Sequence, residues 1–308
     1  NGRTPSAISE VDAIARSVSQ AGAEHAMVNC EPQWAHGFQI PGAGLNGWVF
    51  DLTPGDDGTG SGLFAGGLFT QGGGQPLNRI GKWNGVSWSS LGAGMNDQVN
   101  EITFFNDGSG STLFAAGAFT EAGGVPANRV AKWSGSAWTP LGDGLGDNNT
   151  HTAIAVAGVQ AGPAYGLYAG GNFSSAGGMP VNYIARWDGT AWSVVGGGVS
   201  SWVFALTSFD DGTGPQLYAG GYFLQAGGVA VNRVARWDGA SWWPLGNGLP
   251  EAPTKLVVLD DGSGPALYAA WDQGVSKWNG EQWILIGSTD PYSVHALAYF
   301  DDGGGPAL

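Results

Sequence analysis

A unit of about fifty residues recurs along this chain, and it leaves few folds open. Its marker is a Leu–aromatic pair: Leu63–Phe64, Leu113–Phe114, Leu167–Tyr168, Leu217–Tyr218 and Leu267–Tyr268, at steps of 50, 54, 50 and 50 residues. The clearest copy runs from Val203 to Leu249, VFALTSFDDGTGPQLYAGGYFLQAGGVAVNRVARWDGASWWPLGNGL. Turn signals divide it into four short strands. Strand a (VFALTSF) ends at Asp-Asp-Gly, and strand b (LYAGGYF) leads into a loop built on Ala-Gly-Gly. Strand c (NRVARW) ends at Asp-Gly or Asn-Gly, and strand d (SWWPL) runs into Leu-Gly-x-Gly.

Four strands per fifty residues is the pattern of a β-propeller blade. A β-solenoid needs a shorter repeat, and an immunoglobulin array needs about 100 residues per unit. The expected fold is an all-β propeller with five full blades, near residues 48–92, 98–142, 150–196, 202–246 and 254–287, and a partial sixth over 293–308. Residues 33–45 read as an outer strand that closes the ring. Residues 1–32 fall outside the repeat, with one short amphipathic helix expected on Ile8, Val11, Ile14 and Val18. The sixth copy starts at Phe300 and stops at Leu308, where the marker pair would begin, so the natural chain is expected to continue.

Composition fits only this class. Of 308 residues, 56 are Gly and 15 are Trp, so a helical chain would lose about 1 kcal/mol at each interior Gly. Disorder conflicts with so many large apolar rings. The net charge of −14 argues against nucleic acid and anionic membranes, which need a basic face. Cys30 is the only cysteine, which excludes a disulfide framework and a Cys-based metal site. No apolar stretch is long enough for a membrane-spanning helix, so no membrane insertion is expected. Few Lys beside abundant Gly, Asn, Ser and Trp suit a secreted or cell-surface protein.

The copies LYAGGNFSSAGGMPVNYIARWDGTAW and LFAAGAFTEAGGVPANRVAKWSGSAW resemble repeats of secreted bacterial β-propeller proteins of unknown function. They are also similar to the propeller of the fungal cortical cell-polarity marker family, and loosely kelch-like through a diglycine followed by Trp. The kelch Tyr six residues before that Trp is absent, since Leu77, Ala127, Val181 and Val231 stand there. The resemblance covers about Trp34 to Leu308 and implies a fold rather than an activity.

Two tryptophans recur five residues apart, at 83/88, 133/138, 187/192, 237/242 and 278/283, so ten of the fifteen are structural by position. Only Asn84 and Gly85 separate Trp83 from Val86, which predicts a two-residue type I′ hairpin pairing 83 with 86 and 81 with 88. Gly81, Ala131, Ala185, Ala235 and Ser276 would then be small seats beneath the second Trp. Strand c also carries Lys82, Lys132, Arg186, Arg236 and Lys277, read as long stems over apolar neighbours with solvated heads.

In a propeller the a–b and c–d turns share one face and the b–c and d–a loops the other. The first face gathers the acidic turns. Asp56, Asp57, Asp210, Asp211, Asp260 and Asp261 would be calcium ligands under one reading, though Asp-Gly chemistry alone accounts for them and no copy alternates as D-x-D-x-D. The second face varies between copies and is the candidate binding surface, with Trp48, Arg79, Asn100, Arg129, Tyr183, Trp202, Arg233 and Trp271. Trp271 lies where the fifth copy drops the Ala-Gly-Gly loop, shortening the Trp-to-Trp step from 50 to 41.

No catalytic motif occurs, and no cofactor is expected. Asp51 and Glu101 share one strand-a position in neighbouring copies and would pair for glycoside cleavage if that position faced the channel. The leading expectation is a non-enzymatic extracellular module for a protein or cell-surface partner. The alternatives are a lectin-like propeller with a glycan site per blade and, behind it, a glycoside hydrolase or lyase.

Overall fold

The computed structural model describes residues 44–146, 151–288, 300–301 and 306–307, so the expected N-terminal helix and nearly all of the closing strand lie outside the described residues. The protein is an all-β propeller with five four-stranded blades. Each blade is an antiparallel meander in chain order; in the fourth it comprises Val203–Asp210, Pro215–Gly221, Val234–Trp237 and Trp242–Pro244. Its counterparts begin at Val49, Val99, Ala153 and Lys255. The chain falls into two compact units: residues 1–104 with 111–140, and residues 105–110 with 141–308. The first holds blade 1 and most of blade 2; the second holds blades 3, 4 and 5.

Among the described residues a sixth blade is not shown. Phe300–Asp301 pairs with Pro306–Ala307, in the register that begins the a–b hairpin of blade 4.

In every blade the Leu–aromatic marker of strand b is fully enclosed. The Ala-Gly-Gly segment is more ordered than a loop. In blades 1 to 4 it is a two-stranded ribbon, such as Gln71–Gly72 with Gln75–Pro76. The residue entering each ribbon from the d–a linker adds one more bridge, as Met95 does to Ala122 and Val199 to Ala226.

The c–d turn differs from the expected two-residue hairpin. Trp83 pairs with Trp88, Lys82 with Ser89 and Gly81 with Ser90, leaving four residues in the loop. A type I′ turn needs positive φ at both central residues. Here only Gly85 is left-handed, at φ 96°, and Asn84 is not. The Asn84 carboxamide oxygen instead accepts the N–H groups of Val86 and Ser87, both at 2.9 Å. Asp188, Asp238 and Asn279 do the same in later blades. An acceptor side chain therefore sets the turn, and each Trp pair meets ring to ring at 5.2–5.5 Å. The small seat survives diagonally: a Cβ on Gly81 would meet the Trp88 ring at 3.3 Å.

Candidate functional site

In blade 1, Asp56 Oδ1 accepts the N–H groups of Gly58 and Gly60, closing the a–b turn on itself. Asp57 Oδ1 accepts from Thr59 Oγ1 and Lys82 Nζ, each at 2.7 Å, and its Oδ2 accepts the Trp133 indole N–H of blade 2 at 3.0 Å. Lys82 also donates to Thr59 Oγ1 and to the Gly60 carbonyl, so its head is buried and fully bonded rather than solvated. Burial of Asp57 opposes ionisation, but its bonds to Lys82, Thr59 and Trp133 win and hold the carboxyl below the usual range.

The same latch recurs as Arg236–Asp211 at 2.9 Å and as Lys277–Asp261. Burial of Asp211 is again outweighed, by Thr213 and Arg236, and bonding to Lys277 lowers Asp261. Asp210 and Asp260 close their turns as Asp56 does. All six residues weighed as calcium ligands thus spend carboxylate oxygens on intrachain donors. Among the described residues no group of three His, Cys, Asp or Glu is arranged for a metal.

Of the eight residues expected at the variable face, four act as ribbon exits. Arg79, Arg129, Tyr183 and Arg233 have φ of 63–75°, each donates its backbone N–H to the Phe at the end of strand b, and each carbonyl accepts from a strand-b Gly. Arg79 and Arg233 then clasp the d–a linker through Met95 O and Leu249 O. Arg129 is only 3% exposed, which removes it as a surface contact. Trp271 is 5% exposed and belongs to the blade 4–5 core, in the cluster against which Trp278 and Trp283 pack. Asn100 is half-buried and accepts from Gln98 Nε2 at 3.0 Å.

Trp48 and Trp202 remain, 67% and 43% exposed. They occupy equivalent positions just before strand a, and the second is part of something larger. Trp202 meets Phe204 edge-on at 6.3 Å, and Phe204 meets Tyr222 at 4.7 Å. Tyr222 is 59% exposed, and Leu224 beside it 54%. Tyr222 and Leu224 were invisible as candidates because they sit inside the recurring strand-b and ribbon segments. Comparing the copies column by column would have found them: the Tyr222 column reads Leu68, Ala118, Asn172, Tyr222. Blade 1 repeats the arrangement in weaker form with Trp48, Phe50 and Leu68.

The Asp51–Glu101 constellation has a bland geometry. Asp51 Oδ2 accepts the Ile102 backbone N–H at 2.9 Å, tying strand a of blade 1 to that of blade 2.

A pocket of about 680 Å³ lies on the opposite, acidic-turn side between blades 4 and 5. Asp211, Arg236, Lys277, Trp278, Asn279 and Glu281 line it. No sequence reading anticipated it.

No family model matches the chain, and no curated protein matches it. Solved structures similar to it include the extracellular domain of BT4673 from B. thetaiotaomicron, assigned as a hybrid two-component system, with TM-score 0.49 and 11% identity over 84% of this chain and 30% of that one. The extracellular domain of BT3049 from the same organism, assigned likewise, has TM-score 0.47 and 12% identity over 87% of this chain and 38% of that one. The chain spans about a third of the length of these structures. Among the described residues no helix is long and apolar enough to cross a membrane.

Proposed function

We propose that this chain is an extracellular, non-enzymatic binding module that engages a protein partner through the aromatic platform of blade 4. The observation that carries the reading is the edge-to-face set Trp202, Phe204 and Tyr222, with exposed Leu224 two residues beyond Tyr222, on a chain that buries most of its other tryptophans. Trp and Tyr anchors of this kind carry most of the energy of protein interfaces. Phe204 stands on strand a, and Trp202, Tyr222 and Leu224 lie within three residues of a strand end. Short tethered segments rather than a long loop therefore carry the platform, which limits the ordering entropy opposing docking. Blades 2 and 3 place Gln98 and Thr152 at the Trp202 position, so the scaffold repeats while the contact residues do not.

The test is binding of the full 308-residue chain to cells of its source, with the cells pretreated by protease or by mixed glycosidases. Protease should abolish binding, glycosidases should spare it, and Trp202→Ala with Tyr222→Ala should weaken it by about thirtyfold or more. Loss on glycosidase treatment, with about one glycan site per blade on an array, would establish the lectin-like alternative instead.

A further inference from the structure

We infer that the pocket between blades 4 and 5 is a binding site for a neutral saccharide, independent of the aromatic platform. Its volume of about 680 Å³ falls within the range of small-molecule sites. What identifies the ligand class is the hydrogen-bonding capacity left over after the intrachain bonds are counted.

Arg236 gives Nη1 to Asp211 Oδ2 at 2.9 Å and also bonds the Tyr218 side chain, which occupies part but not all of its five-donor fork. Trp278 is the counterpart of Trp133, whose indole N–H is held by Asp57; the Trp278 indole N–H makes no hydrogen bond among the described residues. The Asn279 oxygen is used by the turn, at 2.9 and 2.8 Å, and its amide N–H₂ is not. Glu281 bonds only through its backbone N–H, which leaves its carboxylate as the open acceptor. Unspent donors and an unspent acceptor therefore line one cavity.

Charge excludes the other small-ligand classes. Arg236 is neutralised by Asp211 and Lys277 by Asp261, so Glu281 is the uncompensated charge on the wall. A phosphate or carboxylate ligand would meet that charge without a free cation to answer it. A purely apolar ligand would leave the donors unpaired, at a cost for each. Hydroxyl groups donate and accept, and the Trp278 and Phe209 rings and the Pro244 and Pro265 rings offer apolar surface for the C–H faces of a sugar. A neutral saccharide satisfies both kinds of wall.

Isothermal titration of the full chain with lactose, maltose, cellobiose and chitobiose tests the assignment. At least one should bind with one equivalent per chain. Glu281→Ala, at an exposed turn position whose side chain holds nothing, should weaken that binding about tenfold or more, as loss of a hydrogen bond to a charged group does. Arg236→Lys should weaken it too, because the fork is lost while the charge and the Asp211 pair are kept. Trp202→Ala with Tyr222→Ala should leave it unchanged, so failure here and failure of the platform are separable. No binding by any of the four sugars, several equivalents per chain, or affinity indifferent to Glu281→Ala would overturn the proposal.

Discussion

The seam between blades 1 and 2 and the seam between blades 4 and 5 are made from the same residue types and end up differently. In the first, Trp133 gives its indole N–H to Asp57, and Trp138 gives its own to the Leu91 carbonyl at 2.8 Å. Trp192 and Trp242 repeat the second bond, to Leu141 and Val195. In the last seam both bonds are missing. Trp278 is without a partner among the described residues, and Trp283 Nε1 is buried with none. Asp211 turns its Oδ2 to Arg236 and Tyr218 instead. The closed seam buries its polar groups against each other, and the open one becomes a pocket. Identical sequence signals thus support either packing or a site, and the partner across the seam decides which.

The sharpest test of this contrast is to break the latch on each side. The Lys82 and Asp57 side chains are 8% and 3% exposed, whereas those of Arg236 and Asp211 are 27% and 25% exposed. Lys82→Met leaves a buried carboxylate uncompensated and should cost about 3–5 kcal/mol in urea unfolding. Arg236→Met leaves Asp211 in reach of water and should cost under about 1 kcal/mol. Equal losses would show that the two seams are energetically alike and that the pocket is not solvated.

A second test removes the staples. Trp138→Phe removes the shorter of the two hydrogen bonds that the Leu91 carbonyl accepts, the other coming from the Gly94 N–H, while Trp283→Phe deletes a buried N–H that already lacks a partner. Both lose ring area, so the difference between them isolates the bond. Trp138→Phe should be worse by about 1–3 kcal/mol.

How far the sequence carried this picture follows from the range of each interaction. The blades, the Trp pairs and the sharing of one face by the a–b and c–d turns were all legible, because they repeat at fixed spacing. The face assignment is visible in the packing: a Cβ on Gly135 would strike the Asp57 carbonyl at 2.8 Å, placing the c–d turn of blade 2 against the a–b turn of blade 1. The register of Trp83 with Trp88 was missed because Asn-Gly suggests a backbone-driven turn, while the real driver is the Asn84 side chain. The Lys82–Asp57 latch joins residues 25 apart whose pairing no local pattern encodes. The pocket was least legible of all, since it arises from bonds that one seam does not make.

The smallest effect is expected from acid, and it separates the seams by size. Asp57, Asp211 and Asp261 are all held below the ordinary carboxylate range in the folded chain. A depressed folded pKa means that the unfolded chain takes up protons first. The stability these groups contribute is therefore complete above the unfolded value of about 4, and it drains away as pH falls through the lower folded values. The melting temperature should be flat in this respect near neutrality and decline below about pH 4. Asp57→Asn should flatten that decline more than Asp211→Asn does, because the enclosed Asp57 has lysine, threonine and tryptophan bonds to lose, and Asp211 is open to water. A decline that is unchanged by Asp57→Asn would mean that the closed seam does not depend on an ionised carboxylate, and the contrast with the open seam would then rest on packing alone.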